Sequence, residues 1–225
     1  MRSRARVEVP SSATHPLALS ALSSCISWRR VAVLRLSHGL YTIIHNFTNT
    51  VFHFSFSGGH TTEILRLLSS LSQSYSPRHY IFADSDKMSE DKIRSFEQKR
   101  AKIFSSSQFT LHHIPRSREV QQSWSSSVLT TLYAFLYSLP LTFRLKPDLI
   151  LCNGPGTCVP ICISAILLGI LGLKKVTIVY VESICRVETL SLSGKILYYF
   201  ADYFIVQWPA LKGKYPKSLY LGRIV

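Results

Sequence analysis

Residues 51–73 read VFHFSFSGGHTTEILRLLSSLSQ, and this stretch decides the predicted fold. Residues 51–56 are rich in aromatic side chains, which favours a β-strand. Residues 61–73 predict a helix, because apolar residues recur at three- and four-residue intervals on one face, at Ile64, Leu67, Leu68 and Leu71. A strand, a glycine-containing turn and a helix in this order form the repeating unit of a parallel α/β sheet.

The same alternation of strand and helix patterns continues along the rest of the chain. Further strands are predicted at residues 79–83, 109–114, 148–152, 176–181 and 203–207. Further helices are predicted at 89–103 with Ser89 as N-cap, at 120–145 with an interruption at Pro140, at 159–171 and at 190–201. This order predicts the α/β class, with a doubly wound, mostly parallel six-stranded sheet of the Rossmann-like type.

Residues 1–49 differ from the domain predicted for residues 50–225. They contain one acid, Glu8, among scattered arginines, serines and prolines. The apolar stretch 17–28 is shorter than the roughly 20 residues of a membrane-spanning helix. The uncharged stretch 36–56 is long enough but contains histidines and asparagines. We therefore expect a divergent basic segment that is either disordered or weakly membrane-associated.

The charge balance is strongly basic, with 26 Lys and Arg against 12 Asp and Glu and a net charge of +14. Such a surplus indicates a polyanionic partner. Because there is no arginine-rich tract, a membrane face or a phosphorylated ligand fits better than nucleic acid. The five cysteines lack disulfide or zinc spacing, and are interpreted as small core residues in a reducing compartment. Neither a metal nor a cofactor is expected.

The first candidate site follows the first strand and is Ser57-Gly58-Gly59-His60-Thr61-Thr62-Glu63. Glycines allow close approach of a ligand to the backbone, and a helix N-terminus offers free N–H groups to phosphate. His60 is a candidate general base. A tight structural turn with an incidental histidine explains the motif equally well. Phe56 and Thr61 stand where a dinucleotide fingerprint requires glycine, so this motif is not predicted.

Two more strand ends carry candidate residues, because ligands of open parallel sheets bind beyond the carboxyl ends of the strands. After the fourth strand, Asn153, Gly154 and Gly156 belong to a Gly-Pro-Gly turn, which a purely structural role also explains. After the fifth strand, Glu182 precedes Arg186 by four residues, and an ordinary surface ion pair is the alternative.

A diphosphate and a membrane surface each have a candidate contact after the third strand. Arg116 and Arg118 follow that strand and are suited to bind a diphosphate. The next predicted helix has an apolar stripe flanked by basic residues, formed by Trp124, Val128, Leu132, Phe135 and Leu136. Core packing and contact with a membrane interface both explain this stripe.

Five motifs between residues 57 and 225 resemble one family closely. They are SGGHTTEILRLL, PRSREVQQSW, KPDLILCNGPGTCVP, VYVESICRVETLS and DYFIVQWPALKGKYPKSLYLGRIV. The family they resemble is the asparagine-linked glycosylation protein fourteen family, the membrane-anchor subunit of UDP-N-acetylglucosamine (UDP-GlcNAc) transferase. The resemblance implies the N-terminal half of a GT-B glycosyltransferase, similar to the bacterial lipid II synthase.

The resemblance also implies a reaction and its partners. The donor would be bound by a separate catalytic subunit of the asparagine-linked glycosylation protein thirteen family. The pair would work at the cytosolic face of the endoplasmic reticulum membrane. It would add a second GlcNAc, in a β1,4 link and with inversion, to dolichol-linked GlcNAc diphosphate. Only residues 208–225 follow the last predicted strand, which leaves no room for a second nucleotide site and agrees with half an enzyme.

By resemblance, individual residues acquire expected roles. Gly58, Gly59 and His60 match the family's glycine-rich acceptor loop, and Glu182 stands where the bacterial enzyme has an acid near the acceptor. The C-terminal tail resembles the segment that docks on the catalytic subunit, with residues Tyr220, Leu221, Gly222, Arg223, Ile224 and Val225. The chain departs from the family at residues 1–50, which do not resemble its transmembrane anchor, and at Phe56, where relatives have glycine.

Two other functions stay open from the sequence. The chain could be a recruitment scaffold that brings a catalytic subunit to the membrane without contributing to the active site. It could also be a nucleotide-dependent oxidoreductase with Asp84 as a ribose ligand, although Phe56 and Thr61 argue against this. Whether His60 or Glu182 is the base is likewise open.

Overall fold

The computed structural model describes residues 52–55, 60–69, 71, 75–103, 108–119, 121–154 and 156–225. The predicted N-terminal segment 1–49 lies outside the described residues, as do Ser57, Gly58 and Gly59 of the first candidate site. The description below therefore begins at the first strand.

One sheet of seven parallel strands runs through the domain in the order β3-β2-β1-β4-β5-β6-β7. The strands are β1 Phe52–Ser55, β2 Arg78–Ala83, β3 Phe109–Ile114, β4 Leu149–Asn153, β5 Thr177–Val181, β6 Tyr203–Val206 and β7 Leu219–Tyr220. All six pairings between neighbouring strands are parallel. The order reverses between β1 and β4, as in doubly wound Rossmann-like sheets. The predicted fold class is confirmed, with the short β7 added to the six expected strands.

Helices cover both faces of the sheet. They are α1 Thr61–Ser69, α2 Lys87–Ile103, α3 Trp124–Leu145, α4 Cys158–Ile170, α5 Leu192–Leu197 and α6 Pro209–Lys214. One core includes side chains of α1 and α2, and the other includes side chains of α4, α5 and α6, with α3 packed at its margin. Alternate residues of β4 enter different cores: Leu149 and Leu151 face α1, while Ile150 and Cys152 face α4. This is the period of two that a strand imposes.

The start of α2 differs from the prediction that Ser89 caps the helix. The helix begins at Lys87, and the Asp86 carboxylate accepts hydrogen bonds from the backbone nitrogen of Ser89 at 3.1 Å and from its hydroxyl at 2.5 Å. Asp86 therefore takes the capping role, because an N-cap side chain bonds the N–H three residues later. Ser89 lies in the first turn and is buried against α1.

Helix α3 begins four residues later than predicted and is not interrupted. The Ser123 hydroxyl caps it by accepting from the Ser126 backbone nitrogen at 3.4 Å. The helix continues through Pro140 to Leu145. Pro140 and Leu136 are both exposed, so the proline lies on the outer face of α3 rather than against the sheet. Within the described part of the chain, α3 is the one helix long and apolar enough to cross a bilayer.

Two elements were not predicted from the sequence, and both follow β6. Helix α6 has six residues, begins with Pro209 and contains a glycine. Strand β7 has two residues and pairs with β6 through Leu219 and Tyr220. Neither is long enough to show a helical or alternating pattern.

The interpretation of the cysteines as core residues is confirmed for three residues and wrong for one. Cys152, Cys158 and Cys162 are buried and free, with 3.3 Å between the Sγ atoms of Cys152 and Cys162. Cys185 is exposed, because it lies in the loop after β5 rather than in an element that packs on the core. Cys25 lies outside the described residues.

A buried ion pair attaches α2 to the sheet. The Arg78 guanidinium donates to both carboxylate oxygens of Glu97, at 2.9 Å and 2.7 Å. The Tyr80 hydroxyl also donates to this carboxylate. Arg100, one turn along α2, donates to the carbonyls of Leu68 and Leu71 at the end of α1. Charged groups thus organise this side of the sheet.

Candidate functional site

A cleft of about 420 Å³ lies at the carboxyl ends of the central strands. Its walls come from the start of α1, from the turn after β4 and from the loop after β5. The lining residues are His60, Glu63, Gly154, Glu182, Ser183, Cys185, Arg186 and Ser191. The parallel sheet brings these separate loops to one edge, as the sequence predicts for ligand-binding residues of this fold.

His60 belongs to a chain of polar contacts that crosses the cleft wall. Its Nδ1 lies 3.2 Å from Glu63 Oε2, one turn along α1. The Ser183 hydroxyl, from the loop after β5, donates to the other oxygen of Glu63 at 3.0 Å. The His60 side chain is 32% exposed, so its ring reaches solvent while one nitrogen is held by the carboxylate.

The ionisation of Glu63 determines how the histidine ring is used. Burial alone would raise the pKa of Glu63, but the hydrogen bond and the charge of His60, together with the Asn153 amide and the Ser183 hydroxyl, outweigh it and lower the pKa. An ionised carboxylate can only accept hydrogen bonds. Glu63 therefore favours the tautomer in which Nδ1 carries the proton, which leaves Nε2 free to accept another.

Gly154 gives the imidazole ring its space. The residue has a φ of +67°, a backbone conformation that side chains rarely adopt. A Cβ at this position would lie 2.7 Å from His60 Nδ1. The glycine after β4 is thus required both by its backbone conformation and by the histidine packed against it.

Glu182 is fully buried beside the same cleft. One carboxylate oxygen accepts from the Ser183 backbone nitrogen at 3.1 Å. The other accepts from the backbone nitrogen and hydroxyl of Ser191, at 3.0 Å and 3.1 Å. Burial raises the pKa of Glu182, and the donors from Ser191 and Ser183 and the charge of Arg186 only partly offset it. This carboxylate connects the end of β5 to the start of α5.

Asn153 ends β4 with its side chain fully buried. Within the described residues, neither its amide nitrogen nor its amide oxygen has a hydrogen-bond partner. The amide is close enough to the Glu63 carboxylate to lower its pKa, but does not meet hydrogen-bond geometry. Asn153 does not line the cleft, so its amide lies behind the cleft wall, beside the Glu63 carboxylate.

The remaining predicted diphosphate residues fall in three places. The Thr61 hydroxyl is buried and hydrogen-bonded to Ser89, so it attaches α1 to α2. Gly156 is exposed before α4 and lines a second groove together with Arg118. Arg116 instead forms an ion pair with Glu119 at 2.9 Å. The structure therefore brings Gly156 and Arg118 together and does not bring Arg116 to either cavity.

The predicted docking tail packs against its own domain. Tyr220 belongs to β7, and after Gly222 the chain turns back toward the core. Leu221, Ile224 and Val225 pack against the α1–α2 core, and the Ile224 nitrogen donates to Gln207 Oε1 at 2.9 Å. Arg223 is exposed, with its guanidinium carbon 4.4 Å from the centre of the Trp208 ring.

Two residues of the polar chain, Glu63 and Ser183, lie within the candidate stretches, but reasoning from the sequence gave them no role. The spacing of His60 and Glu63 offered a signal, because residues three apart on a helix are neighbours. Ser183 offered none, since it meets Glu63 across 120 positions of sequence.

Comparison with known proteins supplies the family. The profile of the family described as "Oligosaccharide biosynthesis protein Alg14 like" matches residues 51–224. The chain belongs to the Alg14 family. The match covers the whole described α/β domain apart from the last residue, so the cleft and the tail are both parts of the family's domain.

Relatives within the Alg14 family are highly similar. The human protein named "UDP-N-acetylglucosamine transferase subunit ALG14" is 72% identical over 172 residues, which cover 75% of this chain and 80% of the relative. The protein of the same name from Yarrowia lipolytica is 45% identical over 170 residues, covering 75% and 78%. Among solved structures, MurG from Acinetobacter baumannii matches with a TM-score of 0.46 and 16% identity, covering 70% of this chain and 40% of that chain.

Proposed function

We propose that the chain is the acceptor-binding subunit of a two-part UDP-GlcNAc transferase, the N-terminal half of a GT-B enzyme. Its partner would be the catalytic, UDP-GlcNAc-binding subunit of the asparagine-linked glycosylation protein thirteen family. The pair would add the second GlcNAc, in a β1,4 link, to dolichol-linked GlcNAc diphosphate. The observation that carries this proposal is a histidine held by a carboxylate in an open cleft at the switch point of a Rossmann-like sheet.

His60 is the proposed base. Glu63 holds Nδ1, so Nε2 would take the proton from the attacking hydroxyl of the acceptor GlcNAc. The hydroxyl oxygen would then bond to the anomeric carbon of the donor as the bond from that carbon to UDP breaks. Attack opposite the leaving group converts the α-linked donor into a β-linked product, which is inversion.

Glu182 is proposed as a positioning residue rather than a base. Both carboxylate oxygens of Glu182 already accept hydrogen bonds, and Glu182 is fully buried. Glu182 would keep Ser183 in position to hydrogen-bond Glu63. The prediction that Glu182 is itself catalytic is therefore replaced by an indirect role through Ser183 and Glu63.

The acceptor diphosphate is proposed to bind between the turns that follow β1 and β4. Ser57, Gly58 and Gly59 precede α1, and Gly156 precedes α4, so both helix N-termini would present N–H groups to the anion. Asn153, predicted to belong to this site, would act by holding the adjacent Glu63 carboxylate, because its amide is fully buried and does not line the cleft. Arg118 would add positive charge from the side of Gly156.

Membrane contact is proposed for the outer face of α3. Trp124, Val128, Leu129, Leu132, Leu136 and Tyr137 are all exposed there. The basic residue Arg144 follows them in the last turn. Apolar and aromatic residues beside basic ones are typical of helices that lie in a membrane interface. We place the complex at the cytosolic face of the endoplasmic reticulum, where this surface would face the lipid substrate.

The C-terminal tail is proposed as the docking segment for the catalytic subunit. Its backbone follows the edge strand β7, whose outer side has no neighbouring strand among the described residues. An edge strand offers backbone groups to a partner. Tyr220 and Arg223 present exposed side chains beside it.

The substitution His60→Ala tests the proposal in the complex assembled from both subunits. We expect transfer to lipid-linked GlcNAc diphosphate to fall by about 10²- to 10⁴-fold, as is typical for loss of a general base. Co-purification of the two subunits should be unchanged. Arg66→Ala, which removes an exposed side chain of the same helix outside the cleft, serves as the matched control. Unchanged transfer by His60→Ala would instead favour the recruitment scaffold.

A further inference from the structure

A second cavity lies between three helices on the opposite side of the sheet from α1. It is a surface groove of about 510 Å³ between α3, α4 and α5. Its walls are mainly apolar, with Trp124, Val128 and Leu132 from α3, Val159 and Ile163 from α4, and Ile196 from α5. Three of these side chains, Trp124, Val128 and Leu132, are more than half exposed, although apolar patches of this size normally pack away from water.

One end of the groove is polar and cationic. Arg118 lines it, with the guanidinium carbon 4.1 Å from the centre of the Trp124 ring. Gly156 also lines this end, directly before the N-terminus of α4. No described atom lies within 4 Å of the position that a Gly156 side chain would take, so the turn is open. The groove therefore begins beside the turn that we assign to the diphosphate.

We propose that this groove binds the first isoprene units of the lipid carrier, with the diphosphate at the Arg118–Gly156 end. This rests on the proposed function, because it extends the acceptor site from the diphosphate to the chain attached to it. The ligand has an anionic group joined to an apolar chain, and the cavity has a cationic end joined to an apolar channel. Charge and polarity therefore agree along its whole length.

The shape of the cavity favours a single chain over the other occupants of an apolar surface. A bilayer surface would contact the outer ridge of α3, including Leu129, which does not line the groove. A helix of a protein partner would need a polar group opposite Arg118 and would cover the turn at Gly156. An isoprenoid chain fills the groove and leaves that turn to its own diphosphate.

The test compares two acceptors in the detergent-solubilised complex of both subunits. One acceptor is GlcNAc diphosphate on a long isoprenoid chain, and the other is GlcNAc diphosphate on a methyl group. Leu132→Asn changes the groove, and Val128→Asn is a second groove variant. Leu129→Asn makes the same change on the ridge of the same helix, outside the groove, and is the matched control. Thermal melts check that all three variants fold like the wild type.

We expect both groove variants to raise KM for the isoprenoid acceptor by about tenfold. This is the fold-change that corresponds to the free energy of burying roughly two methylene groups. KM for the methyl acceptor should be unchanged. Leu129→Asn should change neither KM, because the detergent-solubilised complex has no bilayer for the ridge of α3 to contact. Equal losses in the ridge and groove variants would overturn the proposal in favour of general lipid contact. Loss of subunit co-purification in the groove variants alone would overturn it in favour of a protein partner.

Failure of the groove proposal can be told apart from failure of the proposed function. If the wild-type complex uses the two acceptors with the same KM, the groove binds no isoprene and the proposal is wrong, while the transferase function stands. If the wild-type complex elongates neither acceptor, the transferase function itself is wrong.

Discussion

Helices α2 and α3 flank the same sheet on opposite faces, yet they distribute their side chains in opposite ways. Helix α2 exposes lysines, arginines and acids, and buries Ile93, Glu97 and Arg100. Helix α3 buries small residues, Ser127, Ala134, Ser138 and Thr142. It exposes Leu129, Leu132, Leu136 and other large apolar side chains.

The difference indicates that the two faces of the domain meet different surroundings. The α2 face follows the normal rule for water-soluble proteins, in which long charged side chains lie outside. The α3 face inverts it, because small residues allow α3 to pack closely on α4 while the large apolar residues point outward. Such an arrangement is typical of a helix whose outer surface contacts lipid.

The largest predicted effect is a loss of stability when the buried ion pair of α2 is broken. Glu97→Ala would leave the Arg78 guanidinium buried without its carboxylate, and removal of one partner of a buried pair costs about 3–5 kcal/mol. Chemical denaturation of the purified chain measures this loss. Glu90→Ala on the same helix removes the partly exposed contacts of Glu90 with Arg94 and His113 and should cost at most about 1 kcal/mol. Equal costs for the two variants would mean that the buried pair does not hold α2.

A smaller effect is expected at the start of α1, where polar contacts serve the site. Glu63→Gln keeps the size of the side chain but removes the charge that orients His60. We expect transfer by the complex to fall by about 100-fold, the cost of a slightly misplaced catalytic group. Activity equal to that of the wild type would show that the Glu63 charge does not orient His60 for catalysis.

The same variant has a stability effect with a defined pH dependence. Because the pKa of Glu63 is lowered in the folded chain, the ionised carboxylate stabilises the fold above its ordinary pKa of 4.5. This contribution is lost as the pH falls through the lowered value. The difference in Tm between wild type and Glu63→Gln should therefore be larger at pH 7 than at pH 3. A difference that grows toward pH 3 would reverse the assigned sign.

The smallest predicted change in stability comes from attaching a fluorescent probe to α3, and the probe reports whether that face contacts lipid. A polarity-sensitive fluorophore on Leu129→Cys should shift to the blue when vesicles containing anionic lipid are added, because the ridge enters an apolar medium. The same fluorophore on Gln98→Cys of α2 should not shift. Cys25 and Cys185 are replaced by serine in both proteins. Stability should change by no more than about 0.5 kcal/mol, since both positions are exposed. Identical spectral shifts at the two positions would contradict the claim that the α3 face contacts lipid and the α2 face does not.

Most of the fold could be predicted because its elements have strong periodic patterns. The glycine turn after β1 marked the first residue of α1, and the apolar run of α4 marked that helix within one residue at each end. Local chemistry was harder to predict. Asp86 rather than Ser89 caps α2, and both residue types are equally good caps. The helix α3 continues through Pro140, which the sequence could not show, because the outward position of this proline depends on how the helix packs.

The candidate site could be predicted only where the loop itself carries the signal. His60, Gly154 and Glu182 stood at strand ends, and the sheet brings them to one cleft. The contact between Ser183 and Glu63 depends on how distant segments pack, which no local pattern encodes. The sequence could not decide whether the apolar stripe of α3 packs in the core or lies on the surface. Trp124 is exposed, so the stripe lies on the surface at that position.

Binding of substrates to this chain without its catalytic partner tests the central claim most directly. Equilibrium dialysis in detergent would compare lipid-linked GlcNAc diphosphate with UDP-GlcNAc. The account predicts saturable binding of the lipid-linked acceptor, weakened by Gly154→Ala, whose Cβ would collide with His60, and no binding of UDP-GlcNAc. Saturable binding of UDP-GlcNAc without binding of the acceptor would contradict it.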